Sequence, residues 1–264
     1  MTSSVTSHDA SQAGVLLVGH GTRDKTGTQQ FFQLGKLLSQ TFAPTPVVPC
    51  LLEFQEPTIP QAWQQLVDQG VERILVAPLL LFAAGHAKQD IPELIEQCRA
   101  ALPHIETSQT GPLSRHPSVV DLLVKRIQSS ASECDPSRTA LVMVGRGSHD
   151  PCAQADMRVM TEVVARKLPY QVFTTGFYAM AEPKLTKVLD RVAQLPDVDH
   201  VIVQPHLLFQ GRLFQAIERQ VAEASGRHGQ TKFVTSGYLG PTQQVADAIA
   251  TRLQSAWPSC AEQR

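Results

Sequence analysis

The sequence predicts an α/β protein built as two similar halves, each a four-stranded parallel sheet flanked by helices, with a cleft between them. Two observations predict it. Short apolar runs alternate along the chain with segments of helical period, the pattern of doubly wound parallel sheets. The chain also repeats itself: Gly19 and Gly145, Glu56 and Glu182, and Gly111 and Gly237 stand at one constant offset, 126 residues. Pro78-Leu79-Leu80-Leu81-Phe82 and Pro205-His206-Leu207-Leu208-Phe209 match with one residue more between them. A period this long makes each copy a small domain and not a solenoid unit.

The first copy reads in order. Residues 14–18 are an apolar strand closed by Gly19, and 29–42 a helix with Phe31, Leu34, Leu37 and Leu38 on one face. Residues 47–53 form the next strand. A helix over 58–69 follows, opened by Glu56-Pro57 and stopped by Gly70. Residues 73–80 are apolar on both faces, as a central parallel strand must be. Asp90 and Pro92 start a helix over 90–102. A short strand at 105–109 and a helix at 117–128 complete the unit. The second copy repeats this, with strands near 138–144, 171–178, 199–207 and 231–236 and a last helix near 241–256. The predicted organisation is a disordered tail at 1–13, one half at 14–128, a polar linker at 129–137 and a second half at 138–257.

Composition excludes several classes. Apolar content of 42% with 18% charged residues is that of a globular protein. A net charge of −1 and the lack of a basic run argue against nucleic acid. No apolar run approaches the ~20 residues that span a bilayer, and the polar Ser/Thr-rich start is no signal peptide. Five cysteines (Cys50, Cys98, Cys134, Cys152, Cys260), odd in number and without a C-x-x-C pair, predict reduced thiols in a cytoplasm and no cysteine-held metal.

Ligands of such sheets bind beyond the carboxyl ends of the strands, and that rule selects the candidates. His20 follows the first strand, Glu53 ends the second, and His86 lies in the loop after the third. Two imidazoles and one carboxylate thus reach one edge of one sheet. Such borderline N and O donors suit Fe²⁺, Co²⁺, Ni²⁺ or Zn²⁺ and do not favour Mg²⁺ or Ca²⁺. Gly19, Gly21 and Gly85 beside them permit sharp turns and close approach of a flat ligand. The second copy lacks these donors: Arg146 stands where His20 does, and Arg212 or Leu213 where His86 does. His8, His104, His116, His200 and His228 have no comparable context and read as surface residues. His149 and His206, at strand ends of the second half, stay open between a cleft role and a structural one. Gly19-x-Gly21 is no dinucleotide loop, because Asp24 holds its sixth position and would repel a pyrophosphate.

His20-Gly21-Thr22-Arg23-Asp24, Leu52-Glu53 before Glu56-Pro57, and Pro78-Leu79-Leu80-Leu81-Phe82 leading into Gly85-His86 and Asp90-Ile91-Pro92 together resemble the sirohydrochlorin chelatases. These are class II tetrapyrrole chelatases of the CbiX/SirB type, which insert Co²⁺ or Fe²⁺ in cobalamin or siroheme synthesis. The resemblance covers about residues 14–256, and the duplication marks the long form of the family. It implies two flavodoxin-like halves, metal binding by His20 and His86, and assistance from Glu53. This chain has neither the histidine-rich stretch nor the cluster-binding cysteines that some members carry near the C-terminus.

The residues fit that chemistry on their own terms. Insertion must strip water from the ion, hold it over the macrocycle and remove two pyrrole protons. Histidine, titrating near neutrality, serves each step. A polycarboxylate substrate needs cations, for which Arg23, Lys88, Arg146 and Arg212 are placed. The expectation is a monomer with sirohydrochlorin and a divalent metal as its small-molecule partners. No cofactor is expected beyond the substrate metal, Co²⁺ or Fe²⁺, with Ni²⁺ accepted in vitro. Two other readings use the same residues: a metal or tetrapyrrole carrier without turnover, and a histidine-phosphatase-like phosphoryl transfer. Gly19 stands where the latter needs a phosphate-clamping arginine.

Overall fold

The computed structural model of the protein describes residues 12–82, 89–131 and 134–256. The first half runs β1 (Ala13–Gly19), α1 (Lys25–Phe42), β2 (Val47–Leu51), α2 (Ile59–Asp68), β3 (Arg73–Pro78), α3 (Ile91–Ala101), β4 (Glu106–Gln109) and α4 (Pro117–Ser130). The second runs β5 (Thr139–Gly145), α5 (Pro151–Ala165), β6 (Val172–Phe177), α6 (Leu185–Ala193), β7 (His200–Pro205), α7 (Arg212–Arg227), β8 (Lys232–Thr235) and α8 (Gln243–Ala256). Each half is a four-stranded parallel sheet, ordered β2-β1-β3-β4 and β6-β5-β7-β8. The predicted fold class is the one observed. Among the described residues no helix is long and apolar enough to cross a membrane.

β1 and β5 are central, and all seven residues of each are buried. That explains why these runs are apolar without alternation. Element boundaries differ from the sequence expectation where side chains cap them. Asp24 accepts a hydrogen bond from the Gly27 N–H at 3.0 Å, so α1 begins at Lys25, ahead of the expected start at residue 29. Thr58 and Gln61 close a capping box on α2. β2 ends at Leu51, which leaves Glu53 in the turn beyond the strand and not at its end.

The halves are not separate bodies. Val15 and Leu17 of β1 face Leu34 and Leu38 of α1, and this layer continues into α4, α5 and α8 as one hydrophobic cluster. Val119 and Leu123 from the first half share it with Met157, Met160, Val245 and Ile249 from the second. Leu16 and Val18 point to the other face, where α2 and α3 close a smaller core. α6 and α7 do the same for the second half. The order across the molecule is therefore α2/α3, sheet, α1/α4 against α5/α8, sheet, α6/α7. This arrangement turns the carboxyl ends of both sheets toward shared loops.

Candidate active site at the cleft between the halves

A cavity of about 370 Å³ opens where the loop after β1 meets the loop between β7 and α7. Its apolar lining comes from both halves: Phe31, Leu51 and Leu79 on one side, Leu208, Phe209 and Phe214 on the other. Polar groups converge at its mouth. His20, Thr22, Arg23 and Asp24 stand on the first wall, and Gln210 and Arg212 on the second. Gln30 of α1 ties the walls together. Its amide accepts from the Gln210 N–H at 2.9 Å and donates to the Tyr238 hydroxyl at 2.8 Å. Gly27 lies so close to the Gln210 carbonyl that a Cβ there would be 2.6 Å from the oxygen.

His20 is half-buried at the end of β1, with Nδ1 3.3 Å from the Gly21 carbonyl oxygen. A proton on Nδ1 places the lone pair on Nε2. Glu53 is brought beside it through the backbone. The Leu52 and Glu53 N–H groups donate to the Gly19 and His20 carbonyls at 2.9 and 3.1 Å. Gly21, at φ 92°, packs on the Glu53 carbonyl oxygen with no room for a Cβ. The Glu53 side chain itself is exposed and lies outside the cavity lining. His86 and Lys88 lie outside the described residues, so the second expected imidazole and one expected cation have no described position. Among the described residues no three His, Cys, Asp or Glu side chains gather as a metal site.

The second half copies the backbone of this corner and not its chemistry. The Tyr178 and Ala179 N–H groups donate to the Gly145 and Arg146 carbonyls at 3.0 and 2.8 Å. Gly147, at φ 91°, packs on the Ala179 carbonyl as Gly21 does on that of Glu53. Arg146 and Ala179 thus replace His20 and Glu53. Arg23 and Arg212 are exposed residues of the cavity mouth, whereas Arg146 and His149 are exposed but do not line it.

His206 is 3% exposed and lies outside the cavity lining. Its Nε2 is 2.8 Å from the Ser114 hydroxyl of the other half, and its ring centroid is 5.2 Å from that of Phe82. Burial pushes its pKa down to about 4 from 6.5. Here the neutral form is the folded one, so the unfolded chain binds the extra proton between pH 6.5 and 4. Stability is therefore complete above pH 6.5 and falls as the solution is acidified. The linkage is worth about 2 kcal/mol at pH 5. Denaturant unfolding at pH 7 and pH 5 should show this loss, and the contribution should vanish in His206→Leu. An unchanged pH dependence in that variant would clear His206 of the effect.

Three of the other histidines are also less superficial than their sequence context indicates. His116 is half-buried and caps α4, accepting from the Ser118 N–H at 3.3 Å. His228 is half-buried 2.8 Å from Asp190, and His200 is half-buried with a shielded Nδ1. His104 is exposed, and His8 lies outside the described residues. The contacts of His206, Gln30 and Ser114 join residues far apart in the chain. No sequence period signals them.

Comparison with known proteins agrees with this architecture. The sequence profile of the CbiX family matches residues 14–130 and again residues 140–256. A sirohydrochlorin ferrochelatase of Priestia megaterium is 31% identical over 242 residues, 91% of this chain and 89% of the relative. A sirohydrochlorin cobaltochelatase of the same organism is 30% identical over 228 residues, 86% of this chain and 74% of the relative. Among solved structures, SirB from Bacillus subtilis with Fe³⁺ superposes with a TM-score of 0.84 at 27% identity, covering 93% of this chain and 95% of that one.

Proposed function

The chain belongs to the CbiX family, and from that premise we propose that it is a sirohydrochlorin chelatase, a lyase-class enzyme that inserts Co²⁺ or Fe²⁺ into sirohydrochlorin. The observation that carries this reading is the two-sided cavity. An imidazole stands on one wall, cations stand on both, and apolar side chains lie between them. A flat apolar macrocycle with charged edges matches that distribution.

In the reaction M²⁺ replaces two pyrrole N–H protons, so the products are the metallated macrocycle and two protons. His20, together with His86, is the proposed holder of the incoming ion. Weak N and O donors suit an ion that must be handed on, where a thiolate cage would retain it. An imidazole that has released the metal is also a base suited to take up a pyrrole proton near neutral pH. Glu53, beside His20 and open to water, is proposed to assist by attracting the cation or by passing protons to solvent. The first-row order of affinities does not separate Co²⁺ from Fe²⁺ at such ligands, so supply sets the physiological choice. No bound cofactor is invoked.

Arg23 and Arg212 are proposed to bind carboxylates at the cavity mouth, and Arg146 and Lys88 those that project beyond it. A monomer is inferred as the working unit, since the second half already supplies the opposite wall. A cytoplasmic location is inferred from the five cysteines without paired spacing.

Anaerobic incubation of the protein with sirohydrochlorin and Co²⁺ or Fe²⁺, followed by visible absorbance, tests the reading. Catalytic spectral conversion is expected with excess of both substrates. Stoichiometric binding without turnover would make the protein a carrier instead. Arg212→Ala should raise KM by roughly 10-fold with kcat nearly unchanged, since such a contact binds ground and transition states alike. A fall in kcat at constant KM would place Arg212 at the reacting centre.

A further inference from the structure

We propose that Phe54 is a positioning residue for substrate binding: its ring holds the Arg23 guanidinium at the cavity mouth, where Arg23 pairs with a carboxylate of the tetrapyrrole. The proposal rests on the chelatase reading above and assigns a role to a side chain that the reading leaves unused.

Phe54 is anomalous in two ways. It is 53% exposed, the most exposed large hydrophobic side chain among the described residues. It also has φ 71°, a region that bulky residues rarely occupy. The strain has a local source: the Gln55 N–H donates to the Glu53 carbonyl at 3.0 Å, closing a three-residue turn on Phe54. The second half keeps the same turn, with Ala181 N–H to Ala179 O at 2.7 Å and Met180 at φ 53°. Both copies therefore place a large apolar residue at positive φ beside the corner that packs on Gly21 or Gly147, Phe54 exposed and Met180 half-buried.

The first copy gives that side chain a cation. The Arg23 guanidinium carbon lies 5.0 Å from the Phe54 ring centroid, within cation–π range. The residue corresponding to Arg23 in the second copy is His149, and that corresponding to Phe54 is Met180. The pair thus occurs in the half that carries His20 and Glu53. Arg23 lines the cavity, and among the described residues no carboxylate pairs with it. A guanidinium resting on a ring keeps its N–H edge available while losing rotational freedom, which favours a planar two-point contact with a carboxylate. The strained turn therefore aims Phe54 at Arg23, and Arg23 at the substrate.

The test is a coupling experiment on the full chain, measuring equilibrium binding of metal-free sirohydrochlorin together with KM and kcat for Co²⁺ insertion. Phe54→Ala and Phe54→Leu should each weaken binding and raise KM about 5-fold with kcat unchanged, and Phe54→Tyr should restore both. Arg23→Ala should cost about 10-fold, and the double variant no more than Arg23→Ala alone. Phe54 is exposed, so thermal unfolding should remain within a few degrees of the unaltered protein. Full activity in Phe54→Leu would overturn the proposal, because the ring would not be needed. Multiplying effects of Phe54→Ala and Arg23→Ala would overturn it as well, because the ring would then act apart from Arg23. A chain that neither binds nor metallates sirohydrochlorin in unaltered form would remove the chelatase reading itself, a result distinct from either.

Discussion

His20→Ala and His86→Ala should each lower metal insertion by roughly 10²–10⁴-fold while the protein stays folded, the range lost when an acid–base or ion-holding group is removed. Folding should survive because His20 lies past the end of β1, outside the buried strand. His149→Ala should leave turnover within about 2-fold, because His149 does not line the cavity. The measurement is the initial rate of Co²⁺ insertion, paired with circular dichroism and an unfolding curve for each variant. Anomalous scattering from a Co²⁺-soaked crystal adds an independent reading, with density expected at His20. Density at His149 or at the buried His206 would place the chemistry on the wrong side of the cleft for this mechanism. Near-native turnover in His20→Ala would remove that imidazole from metal handling.

The sequence carries the signals of this site because they are local. A buried central strand must be apolar on both faces, and β1 and β5 are, so their ends, and the residues just past them, can be read directly. The repeat offset then assigns Arg146 to the place of His20 without any structural knowledge. Lost to the sequence are relations between elements that meet only in three dimensions. His206 follows an apolar strand as His20 does, yet Ser114, in the loop between β4 and α4 of the other half, hydrogen-bonds it and it is buried. Glu53 reads as a strand-end carboxylate, but β2 stops at Leu51 and a strained turn sets its side chain in solvent. Phe54 escapes notice because a phenylalanine after a strand is ordinary; only its φ and its exposure mark it. The shared core is likewise silent in sequence, since apolar stripes on α1, α4, α5 and α8 fit two separate domains equally well.

Gly21→Ala and Gly147→Ala form the sharper test of where the chemistry lies, because their backbones are near duplicates. Each glycine has φ near 91°, and at each a Cβ would run into a carbonyl oxygen, that of Glu53 or of Ala179. Each substitution combines a disfavoured φ with a clash against backbone that cannot yield like a flexible side chain. A loss of about 1–3 kcal/mol is expected in both, read by denaturant unfolding. The functional consequences should differ. Relieving the clash at Gly21 moves the Glu53 backbone away from His20, and a displacement of about 1 Å at a reacting group can cost ~10²-fold in rate. The same movement at Gly147 displaces Arg146 and Ala179, neither of which is proposed to hold the metal. Below its unfolding temperature Gly147→Ala should therefore retain kcat, with at most a modest rise in KM through Arg146. Gly21→Ala should lose kcat even where it is fully folded. Equal loss of kcat in the two variants would mean that both corners take part in insertion, and the duplication would then have kept two working walls where one is proposed.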